Sequence, residues 1–166
     1  NGVDDNITGQ DPLLGQLRDN GGPTFTQVLL TLSGSVSATS PAIDSGDNSY
    51  VPTTTDQRGL PRPINVIADR GAFEVQTADA ILCPAFPITV TDEIELSDAI
   101  ACYNAATTPG AYTIAFGNDI DLTTSTLPIK NTIAGVSLVI DGQGFTIDGQ
   151  ELSGVRPFQI DTASIV

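Results

Sequence analysis

At 166 residues the chain is long enough for one sizeable core, or for two small units that lean on neighbours. It carries 20 acids against six Lys and Arg, for a formal charge of −14; nucleic acid is therefore not an expected partner, because phosphate contacts need clustered cations. Having no histidine, it has no imidazole base, no Ser-His-Asp or Cys-His nucleophile and no histidine zinc site, so any chemistry would rest on carboxylates, arginines or a hard cation, and no cofactor is expected.

Gly, Thr, Ser, Asp, Ile and Val are plentiful, and apolar runs rarely exceed four residues, which favours many short strands over packed helices. Residues 1–75 hold many turn signals, among them Asp11-Pro12, Asn20-Gly21-Gly22-Pro23, Ser40-Pro41, Ser45-Gly46-Asp47-Asn48 and Arg58-Gly59. Between them sit short apolar pieces such as Leu13-Leu14, Val28-Leu29-Leu30 and Ala72-Phe73. The pattern suits a loop-rich layer laid on an existing core. Residues 76–86 read as a linker into a second segment, 87–166.

That segment opens with the one convincing helix. In ELSDAIACYNAA, Leu96, Ala99, Ile100 and Tyr103 fall at i, i+3, i+4 and i+7, and Asp92, Glu93 and Glu95 stand at the end where the helix dipole favours negative charge. Apolar alternation then marks strands around Ile114, Ile120, Leu127 to Ile129, Leu138, Phe145 to Ile147 and Phe158 to Ile160. Recurrence at about twenty residues resembles solenoid spacing. A hairpin sandwich would use Asp141-Gly142 and Asp148-Gly149 as turns. The recurrence, the aliphatic columns and a helix able to plug one end favour instead an all-β fold, a right-handed parallel β-helix with a short capping helix.

Cys83 and Cys102 are too few for a thiolate zinc site. Their separation of nineteen suits a disulfide worth roughly 3 kcal/mol, the alternative being two buried thiols. If paired, they imply an oxidising compartment. No run approaches a membrane helix in length. Both ends, NGVDDNITG and FQIDTASIV, read as the middle of a longer polypeptide.

Four motifs in order, DPLLGQLRDNGGPTFTQVLL at 11–30, SPAIDSGD at 40–47, TDQRGLPRP at 55–63 and DRGAFEV at 69–75, closely resemble the choice-of-anchor Q domain, a C-terminal module of bacterial surface β-helix proteins. TLSGSVSAT stands where that family runs almost directly on to SPAID. The second half resembles the opening of another such protein, of the CSLREA type, in ITVTDEIELSDAIACYNAA and YTIAFGNDIDL, with Ile94 and Ser97 in place of the name-giving cysteine and arginine. The resemblance implies a junction between two β-helix domains, or one repeat of a polymeric array.

Several polar groups are candidates for a site. Arg58 and Arg70 would bind an anion such as a uronate, or would instead form a structural clasp with Asp44, Asp47 or Asp56 and loop carbonyls. The clasp is favoured, because neighbouring acids would neutralise an anion site, and Arg62 is expected to face solvent. Asp44, Asp47 and Asn48 offer oxygen ligands without the spacing of a calcium loop. Asp119, Asp121, Asp141 and Asp148 would need a particular separation to act as a glycosidase pair, and are expected to be turn residues. Asn6-Ile7-Thr8 is a lone glycosylation sequon.

The function expected is that of a non-enzymatic extracellular structural protein, a repetitive β-helix cell-surface adhesin or filament subunit. Its expected partners are neighbouring copies or domains of the same protein in a homopolymer, or a cell-surface polysaccharide. The alternative is the non-catalytic end of a secreted polysaccharide lyase or glycoside hydrolase. A carbohydrate-binding module is less favoured, since it would need exposed aromatic platforms and the chain has only three Tyr and six Phe.

Overall fold

The computed structural model describes residues 6–161. They fall into two compact units, one of residues up to 31 with 39–80, the other of residues 32–38 with 81 onward.

In the first unit, strand β1 (Leu14–Arg18) pairs antiparallel with β2 (Thr26–Leu29), placing Arg18 opposite Thr26. The reversal between them uses Gly21 and Gly22, both at positive φ, and the Asp19 carboxylate accepts from Gly21 N. Gly22 is also required by space, for a Cβ there would stand 2.6 Å from the Arg58 Cα. From residue 40 to 80 the backbone is nearly all loop, with 3-10 turns at Asn48–Tyr50 and Thr77–Asp79 and one isolated bridge, Thr55 to Pro61. Its interior mixes Val28, Leu29, Leu30, Ala68 and Phe73 with the buried acids Asp56, Asp69 and Glu74.

Strand β3 (Thr31–Gly34) lies between β4 (Ala38–Thr39) and β5 (Ile81–Cys83), with β3 and β5 parallel and Leu32 opposite Ile81. The second unit continues with β6 (Ile88–Val90), helix α1 (Glu93–Asn104), β7 (Gly110–Phe116), β8 (Ile120–Asp121), β9 (Val136–Asp141) and β10 (Ile147–Asp148). Strands β6, β7 and β9 form a parallel sheet in that order, and β8 pairs parallel with β10.

Helix α1 starts where Asp92 accepts from Glu95 N, while Glu95 reaches back to Thr91 N and Oγ1. Its buried stripe of Leu96, Ala99 and Ile100 packs with Ile88, Val90, Ile114, Phe116, Ile120 and Leu122 into the unit's core. At its far end Asn131, itself buried, donates to the carbonyls of Tyr103 and Ala106, the first of which also accepts from Ala106 N. Asn104 clamps the next segment through Pro128 O and Lys130 N. A disulfide joins Cys83 of β5 to Cys102 of α1, with Cα atoms 5.8 Å apart.

This architecture corrects the expected all-β parallel β-helix and the tandem repeat that went with it. The sheets are small and separate, of two or three strands each, β1 and β2 are antiparallel, and a 12-residue helix contributes to one core. The chain is a small mixed α/β protein. Alternation had marked many of the inward residues, though Phe145 and Ile160 are exposed, but not how far pairing extends. Pro128 and Pro157 lack the N–H a ladder needs, and Leu127 to Ile129 and Phe158 to Ile160 keep only an isolated bridge between Ile129 and Ile160. No helix among the described residues is long and apolar enough to cross a membrane. The expected continuation of FQIDTASIV toward NGVDDNITG falls partly on residues 1–5 and 162–166, outside the described residues.

Candidate functional site

The charged groups singled out in the first unit meet in the loops between residues 40 and 80. TDQRGLPRP closes on itself: Asp56 N donates to Leu60 O, Gly59 takes positive φ, and the Asp56 Oδ1 accepts from Arg58 N and Leu60 N. An Asx turn of this kind throws the Arg58 side chain back across its own loop.

There the Arg58 guanidinium is almost fully engaged. Nε and Nη2 each lie 2.9 Å from Asp56 Oδ2, Nη1 lies 3.2 Å from Asp79 Oδ2, and Nη2 donates to Glu74 O at 2.6 Å. Its Cζ stands 3.5 Å from the centre of the Phe73 ring, and the side chain is 3% exposed. Planar geometry and five donors let one arginine satisfy a carboxylate, a carbonyl and an aromatic face together, which lysine cannot do.

Two further acids are held the same way. Asp69 accepts from Asp44 N and Val75 N, and Glu74 accepts from Ile64 N on one oxygen and Asp69 N on the other. Asp56 Oδ2 takes Glu74 N as well, so Asp56, Asp69 and Glu74 link residues 44, 58, 60, 64, 69, 74 and 75 through backbone donors. Burial pushes the Asp56 carboxyl up, but the hydrogen bonds from Glu74 N, the Arg58 side chain and the Leu60 and Arg58 amides outweigh it and hold its pKa below the ordinary value. Asp69 goes the other way: burial comes first, and Glu74 and Asp44 nearby add like charge, so its pKa is raised.

Of the residues expected in a clasp, Arg58 and Asp56 meet directly. Arg70 donates from Nε to Ser45 Oγ and from its amide to Ala42 O. Asp44 accepts from the Asn65 side chain, and Asp47 caps the turn at Asn48–Tyr50 by accepting from Ser49 N and Oγ. Arg62 is not turned to solvent as expected. It is 14% exposed, donates to the carbonyls of Gly71 and Asp69, and holds Nε 3.4 Å from Glu74 Oε2. Asp69, Phe73, Glu74 and Asp79 were missed as partners. The first three lie in DRGAFEV, whose acids flanking an apolar pair were a usable sign of inward-facing charge.

The remaining candidates are spread out. Asn48 bridges Val66 O and Ala68 N, and no group of three acids or cysteines among the described residues is gathered to hold a metal. Asp141 accepts from Gln143 N and Asp148 from Gln150 N, exposed turn roles, whereas Asp119 accepts from Thr146 N and Oγ1, 27 residues further on. Asp121 stands opposite Asp148 across the β8 and β10 pair. Cys83 and Cys102 are buried in their disulfide.

No family model, curated protein or solved structure matches the chain.

Proposed function

We propose that the chain is a non-enzymatic structural part of an extracellular protein, and that the clasp around Arg58 holds a loop-built unit together. The observation that carries this is the occupation of that centre: Arg58, Asp56 and Glu74 are buried and spend their hydrogen-bonding capacity on one another, on Asp79 and on the chain's own backbone. A catalytic acid or an anion-binding arginine needs a face open to substrate. The disulfide supports an oxidising compartment, and the resemblance of the first half to end-modules of bacterial surface proteins supports the same location.

Arg58→Ala separates structure from binding. The expected result is a lowered melting temperature, with retention on immobilised polyuronate unchanged from the parent chain. Unchanged melting with lost retention would assign Arg58 to a ligand instead. Turnover of polygalacturonate or alginate by the parent chain, abolished by Asp56→Asn or Asp119→Asn, would overturn the non-enzymatic role.

A further inference from the structure

Burial in the second unit falls away in one direction. Ile114, Phe116, Ile120 and Leu122 are at most 3% exposed, whereas Leu138, Ile140, Ile147, Val155 and Phe158, which pack against them from β9 onward, are only partly buried. Further along the chain Phe145 is 40% exposed and Ile160 58%, and on the opposite face of β9 Val139 is 45% exposed. An apolar surface of this kind at the end of a sheet marks an interaction face.

Among the described residues the backbone is open on the same side. Gly110 N donates to Gly135 O, and Gly110 stands opposite Val136 in the β7 and β9 register. In a parallel ladder the pattern then alternates, so residues 137, 139 and 141 turn their amides to β7 while Leu138 and Ile140 turn theirs outward. Among the described residues no strand lies beyond β9. Such an edge is a template for an added strand.

Charge selects the occupant. From residue 117 to 161 the acids are Asp119, Asp121, Asp141, Asp148, Glu151 and Asp161, against Lys130 and Arg156 alone. Asp141 and Asp148 end β9 and β10, and Asp148 faces the like charge of Asp121. Like charges directly opposite each other are unfavourable, and a cation laid alongside relieves them. A second copy of this chain, at −14, adds to the repulsion instead.

We propose that the outer edge of β9 and the half-buried apolar layer beside it dock an extended segment of a basic partner protein. Its aliphatic residues would alternate with Lys or Arg, the aliphatics covering Leu138 and Ile140 and the cations meeting Asp141 and Asp148.

The test uses an eight-residue peptide alternating lysine and valine, with two controls, one with glutamate for lysine and one with serine for valine. Each is titrated at low salt, and amide hydrogen exchange is the readout. The lysine-valine peptide is expected to slow exchange at Leu138 and Ile140, while both controls leave it unchanged. Asp141→Asn with Asp148→Asn keeps the oxygens that accept from Gln143 N and Gln150 N, and is expected to weaken the lysine-valine peptide about ten-fold. Equal binding by any control, or no protection on β9, overturns the proposal. So does concentration-dependent self-association that protects the same two amides without peptide, which would give the edge to a second copy.

Discussion

Arg58 is worth more to the fold than its charge alone suggests, because removing it strands Asp56 in a site where the carboxylate is 0% exposed. Arg58→Ala is expected to cost about 3–5 kcal/mol in chemical denaturation, the range for breaking one side of a buried pair. Arg58→Lys is expected to recover little of it, since one ammonium cannot reach Asp56, Asp79 and Glu74 O while lying on Phe73. Asp56 also sets a pH dependence. Its folded pKa lies below the unfolded value of about 3.9, so its contribution is present above that value and is lost as pH falls through the depressed one. Asp69 has the opposite sign, its raised pKa making the ionised form costly, so that cost disappears as pH falls through the raised pKa toward the ordinary value. Denaturation midpoints measured from pH 6 downward should therefore hold or rise at first and then fall below about pH 3.9, and Asp56→Asn should flatten the final fall. Equal acid limbs in the two proteins would remove Asp56 from this account. At this scale the sequence was partly legible. Two arginines among many acids pointed to a clasp, but which acids close it depends on long loops folding back. Asp79 lies 21 residues beyond Arg58, and no periodicity joins them.

At the scale of elements, α1 was legible from its stripe of Leu96, Ala99, Ile100 and Tyr103, all four of which are buried, the first three within the main core cluster. Its terminus was not legible. Asn131 lies 25 residues beyond Ala106, in a turn-like sequence, yet it supplies donors to two helix-end carbonyls. Asn131→Ala would take the side-chain donor from the Ala106 carbonyl and leave the Tyr103 carbonyl to backbone donors such as Ala106 N, and a loss of about 1–3 kcal/mol is expected, measured as a shifted denaturation midpoint with an unchanged slope. Asn131→Asp should fare no better, because a carboxylate presents acceptors where donors are needed. The strands were legible in part of their inward faces, Phe145 and Ile160 being exposed, and illegible in their pairing. Ile114 pairs with Ile140 and Ile120 with Ile147, offsets that differ, so a single repeat length never described them. β8 and β10 keep only two residues each, and alternation read alone overestimates such strands.

At the scale of the whole molecule, two small units must each stand on little apolar surface. The first fills part of its interior with carboxylates, and the second depends on a disulfide between β5 and α1. Replacing Cys83 and Cys102 together by Ser is expected to cost roughly 3 kcal/mol if the chain-entropy account holds, read as a lowered midpoint for the double variant. A midpoint equal to the parent's would mean that the residues between them are already confined when the chain is unfolded. Fold class was misjudged at this scale because composition reports strand-forming tendency and says nothing of how many strands share a sheet.

The same disulfide has a mechanical meaning. The bonded positions are separated by 19 along the chain, yet their Cα atoms are 5.8 Å apart. Pulled from its ends, the protein cannot extend through that stretch, so about 60 Å of contour stays hidden at 3.3–3.6 Å per residue. Most of α1 lies inside the shielded loop, and tension running along the chain passes from β5 to the last turns of α1 through two sulfur atoms, bypassing the helix's capped start. For a protein holding on at a surface, load would then be borne by a covalent link while the element that completes the second core is spared.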